Sequence, residues 1–258
     1  MPDLTCLNFQ LTDRIARLEL NSPPLNILSR TMLDEIRQVL ESIADQPGIC
    51  AVLLTAAAEA RAFSVGVEIS EYRSATAYQM LMAFHDIFRL LDEIGKPVVV
   101  AIDGAALGGG CELVAFADMV IATERATFAL PEIRVGLFPP FAAVFLPQVI
   151  GHKRAAEMMM TGAQVSARTA AAWGLAGHVV APEQLTAKTE ELLNGLRGMS
   201  AASLELTRRA LHLNATLDFH TALERVEKLW LEQAMSLDDA AEGIAALVEK
   251  RRPVWKDR

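Results

Sequence analysis

The 258-residue sequence predicts a mixed α/β fold with a parallel sheet covered by helices, followed by a mostly helical C-terminal region. Three observations carry this. Short, continuously apolar runs ("CAVLLTA", "PVVVAID", "MVIAT") mark strands buried on both faces, as in parallel sheets, rather than strands with one wet face. These runs alternate with helical stripes, the strand–helix–strand pattern of layered α/β domains. From about Phe141 onward apolar residues recur mainly at helical spacing.

"CLNFQL" and "IARLEL", separated by a polar break at Thr12 and Asp13, read as an antiparallel hairpin. In "SRTMLDEIRQVLESIAD", Met32, Leu33, Ile36, Val39, Leu40 and Ile43 form one helical stripe, with Ser29 placed as its N-cap. After the strand "CAVLLTA" comes a loop containing "ARAFSVGVEIS", then a helix over about 77–94. "PVVVAID" follows, and the glycines 108–110 lead into the next helix-like stretch, "CELVAFADMVIA". Towards the C-terminus, Leu223, Val226, Trp230 and Ala234 are helically spaced. No repeat or low-complexity segment stands out. The division expected is a core over 1–190 carrying the site, and a helical region over 191–258 packed on that core or on a neighbouring subunit.

The totals exclude several classes. A net charge of −8 argues against nucleic acid as a partner, since phosphate binding needs clustered Lys and Arg. Cys6, Cys50 and Cys111 have no CxxC spacing, which suits a reducing compartment and neither a disulfide framework nor a zinc site. His85, His152, His178, His212 and His220 are scattered without a metal-ligand pattern. The opening stretch has no apolar run of signal-peptide kind, and the longest uncharged run, between Arg134 and His152, is interrupted by Pro139, Pro140 and Pro147. A cytoplasmic protein that neither crosses nor binds a membrane is expected.

The stretch "LGGGCEL" carries the chemistry. A strand, glycines and a helix start can present bare backbone N–H groups where the helix dipole favours negative charge; the same glycines could merely allow close packing. It is neither a P-loop nor a GxGxxG fingerprint. A second glycine turn at Gly66 could aim the Val67 N–H into the same space, and two such donors are what an oxyanion hole requires. Glu112 falls in the first helical turn and Glu132 in "FALPEIRVGLF". Two neighbouring carboxylates in apolar surroundings hold a proton and can share a water; alternatively Glu112 interacts with a helix terminus and Glu132 is salt-bridged. Cys111 reads as a packed thiol, the methionines 158–160 as helix packing, and "KRRPVWK" as a solvated tail or an attractor for phosphates.

Taken together, "AFSVGVEI", "AIDGAALGGGCELVAFADMVIAT", "ATFALPEIRVGLFP" and "AAEGIAALVEKRRPVWK" resemble the enoyl-CoA hydratase/isomerase (crotonase) family over essentially the whole chain. The resemblance implies a crotonase-like ββα spiral core and a helical C-terminal region, assembled as trimers or as hexamers of paired trimers. It implies an acyl-CoA thioester substrate, no cofactor beyond that CoA, and carbon–oxygen lyase chemistry. By position, it makes the Val67 and Gly109 N–H groups the oxyanion hole. Glu112 would hold and deprotonate water, and Glu132 would protonate the α-carbon. Ala62, Ser64, Val65 and Gly66 would meet the CoA, as would Leu247 and Lys250 on the last helix, often from a neighbouring subunit.

Two departures narrow this. The family's alanine-aspartate-isoleucine-lysine run reads Val67, Glu68, Ile69, Ser70 here, without the lysine. In "LFPPFAAVFLPQVIG" the glycines usual after the acyl-pocket proline are missing: Pro139 and Pro140 remove flexibility, and Phe141 and Phe145 add bulk. This turn and the chain's ending resemble the branch that hydrates cyclic dienoyl-CoA thioesters, cyclohexa-1,5-diene-1-carbonyl-CoA hydratase. The alternatives are an enoyl-CoA double-bond isomerase, or a noncatalytic acyl-CoA-binding or RNA-binding relative.

Overall fold

A computed structural model describes residues 4–68, 70, 75–213 and 217–258. Ile69, part of the run without a lysine, lies outside these residues.

The hairpin forms as expected: β1 (Leu7–Thr12) pairs antiparallel with β2 (Ile15–Leu20). Parallel strands then add in the order β2, β3 (Ala51–Ala56), β5 (Val98–Ile102), β7 (Met119–Thr123) and β10 (His178–Val180). Their apolar runs are continuous because both faces are covered. Val52 and Leu54 of β3 and Val98, Val100 and Ile102 of β5 face the main core. Ala51, Leu53, Val99 and Ala101, at the alternate positions, face a second core with Leu193 and Leu196 of α7 (Leu185–Arg197). The main core is closed by α1 (Arg30–Ala44) and α2 (Ala77–Ile94). Ser29 caps α1, its hydroxyl accepting the Met32 N–H at 3.3 Å.

A second sheet lies where the sequence reading has a loop and a direct strand-to-glycine passage. It consists of β4 (Ala62–Ser64), β6 (Ala105–Leu107), β8 (Thr127–Ala129) and β9 (Val165–Ser166), in that order. Strands of two or three residues are too short to show a period. The helix read into "CELVAFADMVIA" is α3 (Gly109–Phe116), which stops before β7 begins.

Helices follow: α4 (Pro140–Ile150), α5 (His152–Thr161), α6 (Ala167–Trp173), α7, α8 (Ala201–Leu213), α9 (Phe219–Glu232) and α10 (Asp238–Glu249). The helically spaced residues of α9 are turned mostly outward. Ala222 and Leu229 are buried, whereas Leu223 and Trp230 are exposed and Ala234 lies in the 3-10 turn after the helix. Met158 packs in the core but Met160 is exposed. The basic ending is exposed to solvent but tethered to the chain. Glu242 grips Arg251 with both oxygens (2.5 and 2.8 Å), Trp255 Nε1 donates to the Gly198 carbonyl, and the Asp257 carboxylate accepts from Arg14 and the Ala201 N–H. Arg251 is thus neutralised within the chain rather than held out for phosphates.

Candidate active site

Three parallel strands of the small sheet end side by side, and each delivers one part of the site. Ser64 of β4 pairs with Ala106 of β6, and Leu107 of β6 with Ala129 of β8. The chain therefore leaves these strands as three adjacent loops: one with Gly66 and Val67, one with Gly108 and Gly109, and one leading to Glu132. The first two touch. Gly66 has φ +93°, and a Cβ on it would stand 2.9 Å from the Gly109 nitrogen. A side chain there is excluded both by conformation and by space. Gly110 is fixed by approach alone, because a Cβ would come within 2.5 Å of the Ser64 carbonyl oxygen. The close-packing reading of the glycines is thus met at Gly66 and Gly110.

Gly109 opens α3, so its N–H has no intrahelical acceptor. The bridge between Leu28 and Val67 uses the Leu28 N–H and the Gly66 carbonyl (2.9 Å), which leaves the Val67 N–H out of the pairing.

Glu112 lies in the first turn of α3, only 4% exposed. Its Oε1 accepts the Ala142 N–H at 2.8 Å. Ala142 is in the first turn of α4, where Pro139 and Pro140 contribute no N–H and fix the entry of the helix. Glu112 thus takes up one of the orphan donors of α4. Burial pushes its pKa up from 4.5 to about 8, against the pull of the Ala142 and Phe141 N–H groups and with added push from the Glu132 charge. Glu132 sits in the 3-10 turn Pro131–Val135, 8% exposed, and burial raises its pKa as well. Its Oε1 lies against Gly108, where a Cβ would stand 2.7 Å away, and its Oε2 is buried without a partner among the described residues. Glu132 is therefore not salt-bridged. Two buried carboxyl groups that resist ionisation, beside two backbone donors without a partner among the described residues, can hold a water and polarise a carbonyl. Cys111 is buried, and burial together with both glutamate charges drives its thiol pKa up, as befits a packed thiol.

The remaining expected residues divide. Val65 and Gly66 belong to the loop beside Gly109. Ala62 and Ser64 are instead buried in β4; the Ser64 hydroxyl donates to the Asn26 carbonyl (2.7 Å) and accepts the Gly66 N–H (3.1 Å), so its side chain faces inward. Pro139, Pro140 and Phe141 are brought to Glu112 through Ala142. Leu247 (80% exposed) and the exposed Lys250, which caps α10 at φ +56°, lie on a helix that packs on α8. Within one chain they are not gathered with the glutamates. Two elements escape sequence reading: the Ala142 N–H, hinted at only by the paired prolines, and Phe84, whose Cζ would be 2.9 Å from a Cβ on Gly109 but which reads as ordinary core of α2. Among the described residues no cluster of ligating side chains could hold a metal ion, and no helix is long and apolar enough to cross a membrane.

The family model for enoyl-CoA hydratase/isomerase matches residues 10–258. The chain belongs to this family. Enoyl-CoA hydratases of the crotonase fold are its structural neighbours; that of Bacillus anthracis superposes with a TM-score of 0.92 at 29% identity, covering 98% of this chain and all of that one. Among relatives, the cyclohexa-1,5-dienecarbonyl-CoA hydratase of Thauera aromatica is 33% identical over 95% of this chain and 93% of its own length. The mevalonyl-coenzyme A hydratase of Aspergillus fumigatus is 32% identical over 97% and 94%. Two family members named for different acyl groups thus stand at nearly equal distance from this chain.

Proposed function

We propose that this family member adds water across the double bond of an α,β-unsaturated acyl-CoA thioester. The observation that carries the reading is the pair Glu112 and Glu132, both buried and resistant to ionisation, next to the N–H groups of Val67 and Gly109, which have no partner among the described residues. The thioester oxygen accepts from the two N–H groups, which makes the β-carbon electrophilic. A water held by the carboxyl pair gives one proton to the ionised member as its oxygen bonds to the β-carbon. The enolate then takes a proton at the α-carbon from the protonated member. One water is consumed, and the pair ends with the single proton it began with.

The family resemblance gives the base role to Glu112 and the acid role to Glu132. In the substrate-free protein, burial raises the pKa of both carboxyl groups. The active species is the singly protonated pair, whose apparent ionisations belong to both groups. No cofactor enters this scheme apart from the CoA of the substrate. A trimer, or a hexamer of paired trimers, would cover the outward apolar stripe of α9 and bring α10 of one subunit towards the site of another.

For the acyl group we infer a compact, non-standard unit such as a cyclic dienoyl ester, supported by the paired prolines and Phe141 at the entry of α4. The test is a product assay over linear and cyclic enoyl- and dienoyl-CoA esters. Products heavier by one water and faster turnover of cyclic esters are expected. Isomers of unchanged mass would overturn hydration, and crotonyl-CoA turned over far faster than any ring ester would overturn the substrate class.

A further inference from the structure

Beyond Gly109 the site runs into aromatic rings. The Phe84 ring lies against Gly109, with Cζ 2.9 Å from where a Cβ would be. Phe84 meets Phe88 edge-on, with ring centroids 5.0 Å apart and planes at 75°. Phe88 stacks flat on Phe141, centroids 3.7 Å apart and planes within 8°. The next residue, Ala142, holds Glu112. Contacts therefore run unbroken from an oxyanion donor on β6–α3, across α2, to the carboxylate on α3 by way of α4.

Phe88 and Phe141 also line a cavity of about 530 Å³, shared with Phe116, Phe145 and His85. A volume of that size is in the range that holds a small ligand. The same two rings thus line the cavity and connect to the site, Phe88 through Phe84 and Phe141 through its neighbour Ala142. Rings 3.7 Å apart are at carbon–carbon contact distance and leave no room for a methylene between them.

We propose that the Phe88–Phe141 pair closes the acyl end of the site, so that the protein takes compact acyl groups, short or single-ring, and rejects long linear ones. Removing either ring joins the site to this cavity and admits longer chains. This rests on the CoA-thioester reading above, although not on hydration itself.

The experiment is calorimetric binding of saturated butyryl-, hexanoyl- and decanoyl-CoA, which cannot be hydrated, to the full-length wild type and to Phe141→Ala and Phe88→Ala. Wild type is expected to bind decanoyl-CoA no more tightly than butyryl-CoA. In the variants the decanoyl-to-butyryl affinity ratio should rise roughly tenfold or more, since each methylene newly buried is worth roughly fourfold. Phe141→Leu and Phe88→Leu are read by the same ratio if an alanine variant does not fold. Wild-type affinity that climbs steadily with chain length, or ratios unchanged in every folded variant, would overturn the proposal. Failure to bind any acyl-CoA would remove the CoA-thioester reading and the proposal with it. Short-chain preference in a protein that hydrates nothing would remove hydration alone and leave the ring wall standing.

Discussion

Replacing Glu112 by glutamine should stabilise the protein in a way that depends on pH. A carboxyl group with a folded-state pKa of about 8 and an ordinary value of 4.5 keeps its proton in the folded chain while the unfolded chain has lost it. The folded state then binds more protons, so stability falls as pH rises from 4.5 and levels off once pH passes the folded value. The gap between the two values corresponds to about 5 kcal/mol, the order of a small domain's entire stability margin. A glutamine keeps an oxygen for the Ala142 N–H but carries no charge to desolvate. Denaturant unfolding of wild type and Glu112→Gln between pH 4.5 and 9 measures the difference directly, and subtraction removes the titrating groups not coupled to Glu112. The two should be close at pH 4.5 and diverge by roughly 3–5 kcal/mol in favour of the variant by pH 8 to 9. Parallel stability curves would refute the claim that burial holds the Glu112 proton.

The same ionisations should bound activity: kcat/KM for hydration should rise as the first carboxyl of the pair ionises, at a pH above the ordinary carboxylate range, and fall again near pH 8 as the second does. A profile flat from pH 5 to 9 would contradict this. Gly110→Ala, which drives a methyl to 2.5 Å from the Ser64 carbonyl oxygen, should cost roughly 3 kcal/mol or more by denaturant midpoint or prevent folding. Asp257→Ala strips the carboxylate from Arg14, which keeps its carbonyl acceptors, and the acceptor from the Ala201 N–H, and should lower stability by roughly 1–3 kcal/mol in the same assay.

The elements legible in the sequence are those long enough to show a period. Helix α2 matches its expected span, Ser29 caps α1 as its side chain suggests, and β3, β5 and β7 lie where apolar runs place them. The small sheet escapes because Ala62–Ser64, Ala105–Leu107 and Thr127–Ala129 are too short for any periodicity. Yet those strands bring Val67, Gly109 and Glu132 together. The motif residues could be picked out without them only because glycine and glutamate carry chemical meaning on their own. Through-space relations had no such cue. The Ala142 N–H is a backbone group whose side chain says nothing, and Phe84 and Phe88 look like any core stripe. On α9 the periodicity is real but does not reveal which face turns inward: Leu229 is buried and Trp230 is exposed.

The central claim is that Glu112 and Glu132 together move the protons of an added water. Its most direct test is mass-resolved product formation from an enoyl-CoA ester that wild type hydrates, measured alongside saturated acyl-CoA binding for wild type, Glu112→Gln and Glu132→Gln. Each variant should bind with little change and lose roughly 10²–10⁴ in the rate of water addition, the usual contribution of a general acid or base. Hydration at near wild-type rate in both variants would contradict the account.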